Sequence, residues 1–195
     1  MVTFIHLTQD KSKKVILNKS GDYVIFFHNI SGELTFILNE KNINLDIFGL
    51  FTGRNEDQFN IQTIQHHKAP AATSNLLIKG IFDGKSRFNY EGLIRIEKKA
   101  QKSHAYQKNQ NLLLSPNTYI ESKPFLEILA NDVFCTHGST TGKLNEDELY
   151  YAQTRGLSRQ QSQELLVAGF IEDMFEKIRQ SGVSNDTVDA LNRFN

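Results

Sequence analysis

Cys135 and His137 stand two residues apart, and thiolate and imidazole are both ligands for iron. Residues two apart in a strand share a face, so an extended chain here would present both side chains together. C-x-H occurs often by chance, and Cys135 reads equally as a small residue packed in a core. His66 and His67 are adjacent, so in a strand one faces inward and one outward; a hydrogen-bonded structural histidine is the plainer reading for either. Glu127 and Asp132 are the nearest pair of carboxylates for acid–base chemistry, and with no Trp in the chain a sugar-binding platform has little to build on. A phosphate loop of the G-x-x-x-x-G-K-[ST] type is missing, so the chain is not expected to hydrolyse ATP. Cys135 is the single cysteine, which excludes an internal disulfide framework and fits a reducing compartment.

The elements that must position these residues are mostly strands. Leu34, Phe36 and Leu38 alternate with other residues, as do Ile43, Leu45 and Ile47. Further short candidates are Thr3–Leu7, Lys14–Leu17, Tyr23–Phe27, Gln62–Gln65, Asn75–Lys79, Arg87–Tyr90, Leu93–Glu97, Asn111–Leu114, Phe125–Leu129 and Val133–His137. Breakers such as Ser20-Gly21-Asp22 and Asp83-Gly84 separate them. Gly92, Gly138 and Gly142 read as tight corners. Closely spaced short strands argue for a sandwich, barrel or β-solenoid, and the lack of an exact repeat makes any solenoid irregular.

After about Lys143 the pattern changes. Asn145 with Glu148, and Ser158 with Gln161, have capping-box spacing. Gly156 suits the left-handed position after a first helix. Leu166, Phe170, Met174 and Ile178, flanked by Val167, Ile171 and Phe175, form a broad apolar stripe on a helix of roughly five turns. A weaker helix is predicted around Asp186–Phe194. The 22 basic and 22 acidic side chains cancel, which gives no nucleic-acid footprint. No run approaches a membrane span, and the N-terminus shows no secretory signal pattern.

The run Asp132-Val133-Phe134-Cys135-Thr136-His137-Gly138-Ser139-Thr140-Thr141-Gly142 resembles the "DDVKCSHGATVG" signature of the SufB/SufD family, on its SufD side. Pro124-Phe125-Leu126-Glu127-Ile128 resembles that family's "P-x-LEI", and Asn111-Leu112-Leu113-Leu114-Ser115 its "LLLS", preceded by Ala100-Gln101 and Gln107. His67-x-x-Pro70 with Ser74, Phe88-x-x-x-Gly92, Leu149-Tyr150-Tyr151 and Arg155-Gly156 follow family segments in order. The resemblance runs from about Ile61 to Ile178. Ala152 stands where B-type members carry a sulfur-handling cysteine, and His137-Gly138-Ser139-Thr140 replaces their "HEAT"; both favour D over B.

The resemblance implies a mainly β chain: a right-handed parallel β-helix over residues 1–143, then a small α-helical region over 144–195. It implies a non-catalytic scaffold subunit of a SufBCD-type complex that assembles iron–sulfur clusters. The partners implied are a SufB-type subunit, met through the β-helix, and a SufC-type ABC ATPase, met through the C-terminal helices with Tyr151, Arg155 and Arg159 as candidates. The cofactor implied is a transient iron–sulfur cluster at the subunit interface. His137 and Cys135 are its candidate residues, with His137 the candidate metal ligand. His67, Ser74 and Gln107 are candidates for an internal polar path. Neither nucleotide, nucleic acid nor membrane binding is expected of this chain. The location expected is the cytoplasm, or an organellar stroma in a plastid-bearing source. The chain is expected to begin inside the β-helix, without the family's helical N-terminal region. Two other readings stay open: a purely structural stabiliser of the complex, and a β-helix carbohydrate-active enzyme.

Overall fold

A computed structural model describes residues 2–9 and 14–191. Among the described residues eleven strands are followed by three helices: β1 Thr3–Leu7, β2 Lys14–Leu17, β3 Gly21–His28, β4 Gly32–Leu38, β5 Ile43–Gly53, β6 Gln58–His67, β7 Thr73–Phe82, β8 Arg87–Ile96, β9 His104–Leu113, β10 Tyr119–Ile128, β11 Phe134–Lys143, α1 Glu146–Thr154, α2 Arg159–Gln180 and α3 Asn185–Leu191. Odd strands form one parallel sheet in the order β1-β3-β5-β7-β9-β11, and even strands a second, β2 to β10. The chain therefore passes from one sheet to the other at every turn and advances one strand per coil, which is a parallel β-helix. The coil lengthens along the axis: Thr3 pairs with Tyr23 and Tyr23 with Leu45, but Leu45 pairs with Ser74, Ser74 with Ala105 and Ala105 with Cys135. A rung of about 20 residues thus grows to about 30, which hides the repeat from a sequence search.

Main-chain bonds stack the corners. Asn42 N donates to Ala71 O, and Ala71 N to Gln101 O. Asn29, Asn42, Asn55, Ala71 and Lys102 adopt positive φ at these turns, as does Gly84, where a Cβ would lie 2.9 Å from the Asn55 backbone. Gly92, Gly138 and Gly142 do not turn corners as expected. All three lie inside strands, Gly92 within β8 and the other two within β11. A Cβ at Gly92 would collide with the Gln107 amide and the Tyr90 hydroxyl, while Gly138 and Gly142 have open space beside them.

The sheets enclose one core, rich in Phe27, Phe36, Phe51, Phe82 and Phe88. A second core lies outside the odd-numbered sheet, where Ile171, Met174, Phe175 and Ile178 of α2 cover Val24, Phe26, Phe48 and Leu77. The apolar stripe of α2 is thus largely spent on the β-helix: Leu166, Val167 and Phe170 in its first half are half-buried, while Leu165 beside them is exposed. Lys79 on β7 is buried beneath this helix and donates to Phe170 O at 2.5 Å and Asp173 Oδ2 at 2.6 Å. Burial lowers the Lys79 pKa, and the Asp173 carboxylate only partly offsets that.

Ser158 and Gln161 make the full reciprocal capping box at the start of α2. Asn145 caps α1 by accepting from Asp147 N rather than from the third residue. Gly156 takes φ +94 after α1, as expected. The last helix is described only to Leu191, so the remainder of the stretch predicted to Phe194 lies outside the described residues.

Candidate functional site

Three places hold the residues singled out by the sequence: the terminal coil, the interior beneath it, and the helical pair beside it. At the terminal coil β10 and β11 are the last strands of their sheets, so no further strand pairs with their outer edges among the described residues. Cys135 and His137 are partners of the buried Ala105 and Gln107 on β9, which puts them on the inward face of β11. No further coil of the described residues stacks on β11, and there His137 is exposed and Cys135 half-buried. The sequence expectation that the two share a face holds. Burial pushes the Cys135 thiol up, against a weaker opposing hydrogen bond with the Ala105 backbone. Its thiol is therefore less ready to become a thiolate ligand than a free cysteine. Among the described residues no three His, Cys, Asp or Glu side chains converge into a metal site. Around this end Tyr119, Phe125, Leu126, Ile128, Leu129 and Phe134 are all exposed, Phe134 at 63%. An apolar rim beside unpaired strand edges is a ready surface for another protein.

Inside, polar side chains displace the aromatic core. His67 faces inward and His66 outward, where His66 meets Glu97 at 2.9 Å. Gln65 Nε2 donates to Ser74 Oγ at 2.7 Å, and Ser74 Oγ lies 2.8 Å from His67 Nε2. Gln65, His67 and Ser74 are each fully buried, and Gln107 nearly so. Burial, with a small push from His66, lowers the His67 pKa to about 4. Gln65 Oε1, His67 Nδ1 and Gln107 Oε1 have no protein hydrogen-bond partner. A buried polar atom left so costs roughly 1–3 kcal/mol. The structure thus brings His67 and Ser74 together and leaves Gln107 further along the interior, over Gly92. Sequence reading missed Gln65, the hub of this cluster. Its signal was the alternation Thr63, Gln65, His67, visible once β6 is extended to its full length. It also missed the mutually bonded buried pair Asn109 and Asn111.

On the helical pair, Arg155 Nη2 donates to the Tyr151 hydroxyl at 3.0 Å, and the guanidinium lies over that ring. Arg159 grips Glu146 through two bonds of 2.8 and 3.0 Å, tying the start of α2 to the start of α1. Tyr151, Leu157, Leu165 and Leu166 line an apolar hollow between the helices. Glu127 pairs with Arg95 at 3.2 Å. No helix of the described residues is long and apolar enough to cross a membrane.

A parallel β-helix whose interior turns from apolar to polar, with an appended helical pair, defines the class. The chain belongs to the SufBD family: residues 14–170 match the model described as "SUF system FeS cluster assembly, SufBD core domain". It is 30% identical over 161 residues to the iron-sulfur cluster assembly protein SufD of Escherichia coli, covering 83% of this chain and 37% of SufD. It is 35% identical over 109 residues to a SufBD family protein of Synechocystis, covering 56% of this chain and 24% of that one. It is 36% identical over 88 residues to the chloroplastic protein ABCI7 of Arabidopsis thaliana, covering 45% and 18%. The chain spans well under half the length of these relatives.

Proposed function

We propose that this chain is a SufD-like scaffold subunit of a SufBCD-type complex. Its open terminal coil pairs with a SufB-type chain, and its α1–α2 pair docks a SufC-type ABC ATPase. A nascent iron–sulfur cluster is the cargo, held at the subunit seam with His137 as one ligand and Cys135 as a secondary one. The chain itself catalyses nothing and binds no nucleotide. The observation that carries this reading is the terminal coil, where an apolar rim, two free strand edges and two inward-facing ligand side chains share one uncovered end.

Co-expression with SufB-type and SufC-type subunits from the same source tests it. Phe134→Asp with Leu126→Asp should abolish co-purification of the SufB-type chain and spare the ATPase. Arg155→Glu should do the reverse, since its guanidinium is exposed beside the apolar hollow. Retention of both partners by all these variants would sink the reading. A second reading, a stabiliser that never touches iron, is favoured by the raised Cys135 thiol. Iron and sulfide content of the purified complex separates the two.

A further inference from the structure

We propose that the solenoid interior between β6 and β9 is a binding site for ordered water, built by His67, Gln65 and Gln107. Hydrogen-bond polarity carries the inference. The backbone carbonyls of Ser74 and Tyr106 can only accept, and both lie 3.4 Å from the same Gln65 atom. That atom must be the amide nitrogen. Gln65 therefore donates to Ser74 Oγ, and the arrangement that leaves no buried serine proton without a partner points that proton at His67 Nε2. An accepting Nε2 in a neutral ring puts the remaining proton on Nδ1.

The cluster then ends in one buried donor, His67 Nδ1–H, and two buried acceptors, Gln65 Oε1 and Gln107 Oε1, with no protein group to meet them. Water is the small molecule that both accepts and donates, and a polar interior is where buried water belongs. Gly92 strengthens the assignment. Any side chain there would occupy the place of the Gln107 amide. Gln107 is also the β9 partner of His137, so the Gln107 end of the site stands one strand from the last strand of its sheet.

The test needs only the full chain, labelled with nitrogen-15 at histidine, and does not depend on any partner. The His67 signals are identified by their loss in His67→Phe, or by their displacement in Ser74→Ala if that variant does not fold. We expect a proton on Nδ1, none on Nε2, and a cross-peak from the Nδ1 proton to water. Gln107→Leu should keep the His67 tautomer while removing a water from a high-resolution crystal structure of the same chain. A proton on Nε2 overturns the relay. An Nδ1 proton without a water cross-peak, or electron density with no water within hydrogen-bond distance of any of these atoms, overturns the water site.

Discussion

The early and late coils are built on one backbone plan with opposite interiors. One inward column of Cα partners reads Ile5, Ile25, Ile47, Leu76, Gln107, His137. The next reads Leu7, Phe27, Gly49, Ile78, Asn109, Ser139. Both run from apolar to polar toward the open end. Apolar burial stabilises at about 25 cal/mol per Å², so the early coils supply most of the cohesion. The late coils bury amides and hydroxyls that must find partners merely to break even. The difference teaches that the late interior answers to something other than stability.

The sharpest break of the comparison is a polar residue among the apolar rungs. Ile47→Asn places an amide between Ile25 and Leu76, where nothing can bond it. We expect a loss of roughly 3–5 kcal/mol in urea unfolding. Gln107→Leu, two rungs later in the same column, should change stability by less than about 1 kcal/mol, because the carbonyl it removes has no protein partner. Equal losses at the two sites would erase the distinction.

A second contrast is in pH. His67 titrates at about 4 when folded, against 6.5 when free. The unfolded chain therefore binds more protons between those values, and stability falls as pH drops through that window. The term is fully favourable above 6.5 and is lost toward 4, on the order of 3 kcal/mol in all. His67→Phe should flatten the slope measured between pH 6.5 and 5, before most carboxylates titrate. An unchanged slope would place His67 in a more solvated setting.

How far the sequence showed this division depends on the element. Period-two alternation marks Leu34–Leu38 and Ile43–Ile47 because one face is apolar and the other polar. It fails at β9, where a strand is predicted only from Asn111: the inward residues Gln107 and Asn109 are as polar as the outward ones. The same loss of contrast split β8 into two short predictions, with Gly92 between them. The family resemblance recovered these stretches from residue order where alternation could not. Cys135 and His137 were legible as a pair on one face. Their exposure was not, since it depends on which coil is last. Lys79 was unreadable in another way, because its partners Phe170 and Asp173 lie 91 and 94 residues away.

That clamp gives a smaller effect. Asp173 is the half-exposed partner of a cation only 3% exposed. Burial opposes ionisation of Asp173, but bonds from Lys177 and Lys79 outweigh it and hold the carboxyl below its usual range. Asp173→Ala should cost about 1–3 kcal/mol in thermal unfolding, leaving Lys79 with only the carbonyl and ring of Phe170 and no anion. Adding Lys79→Met should recover most of it, since the cation that lacked a partner is gone. No recovery would mean that Asp173 supports α2 by another route.

The smallest effect on stability is expected at His137, and it carries the most weight for function. The ring is exposed at the uncovered end of its column, so His137→Ala removes little buried area and leaves no buried group unpartnered. Unfolding should shift by less than about 0.5 kcal/mol, as at an ordinary surface site. A metal-bound imidazole must offer an unprotonated nitrogen, which alanine cannot replace. The assembled complex should therefore keep its subunits and lose its iron and sulfide. Cys135→Ser should lose less, because the raised thiol is the poorer ligand and serine keeps its size. Stability and iron content must be read on the same His137→Ala protein. A stable variant with normal iron removes His137 from the cargo site. A destabilised one shows that the ring is packed, and that the open end is covered in the free chain.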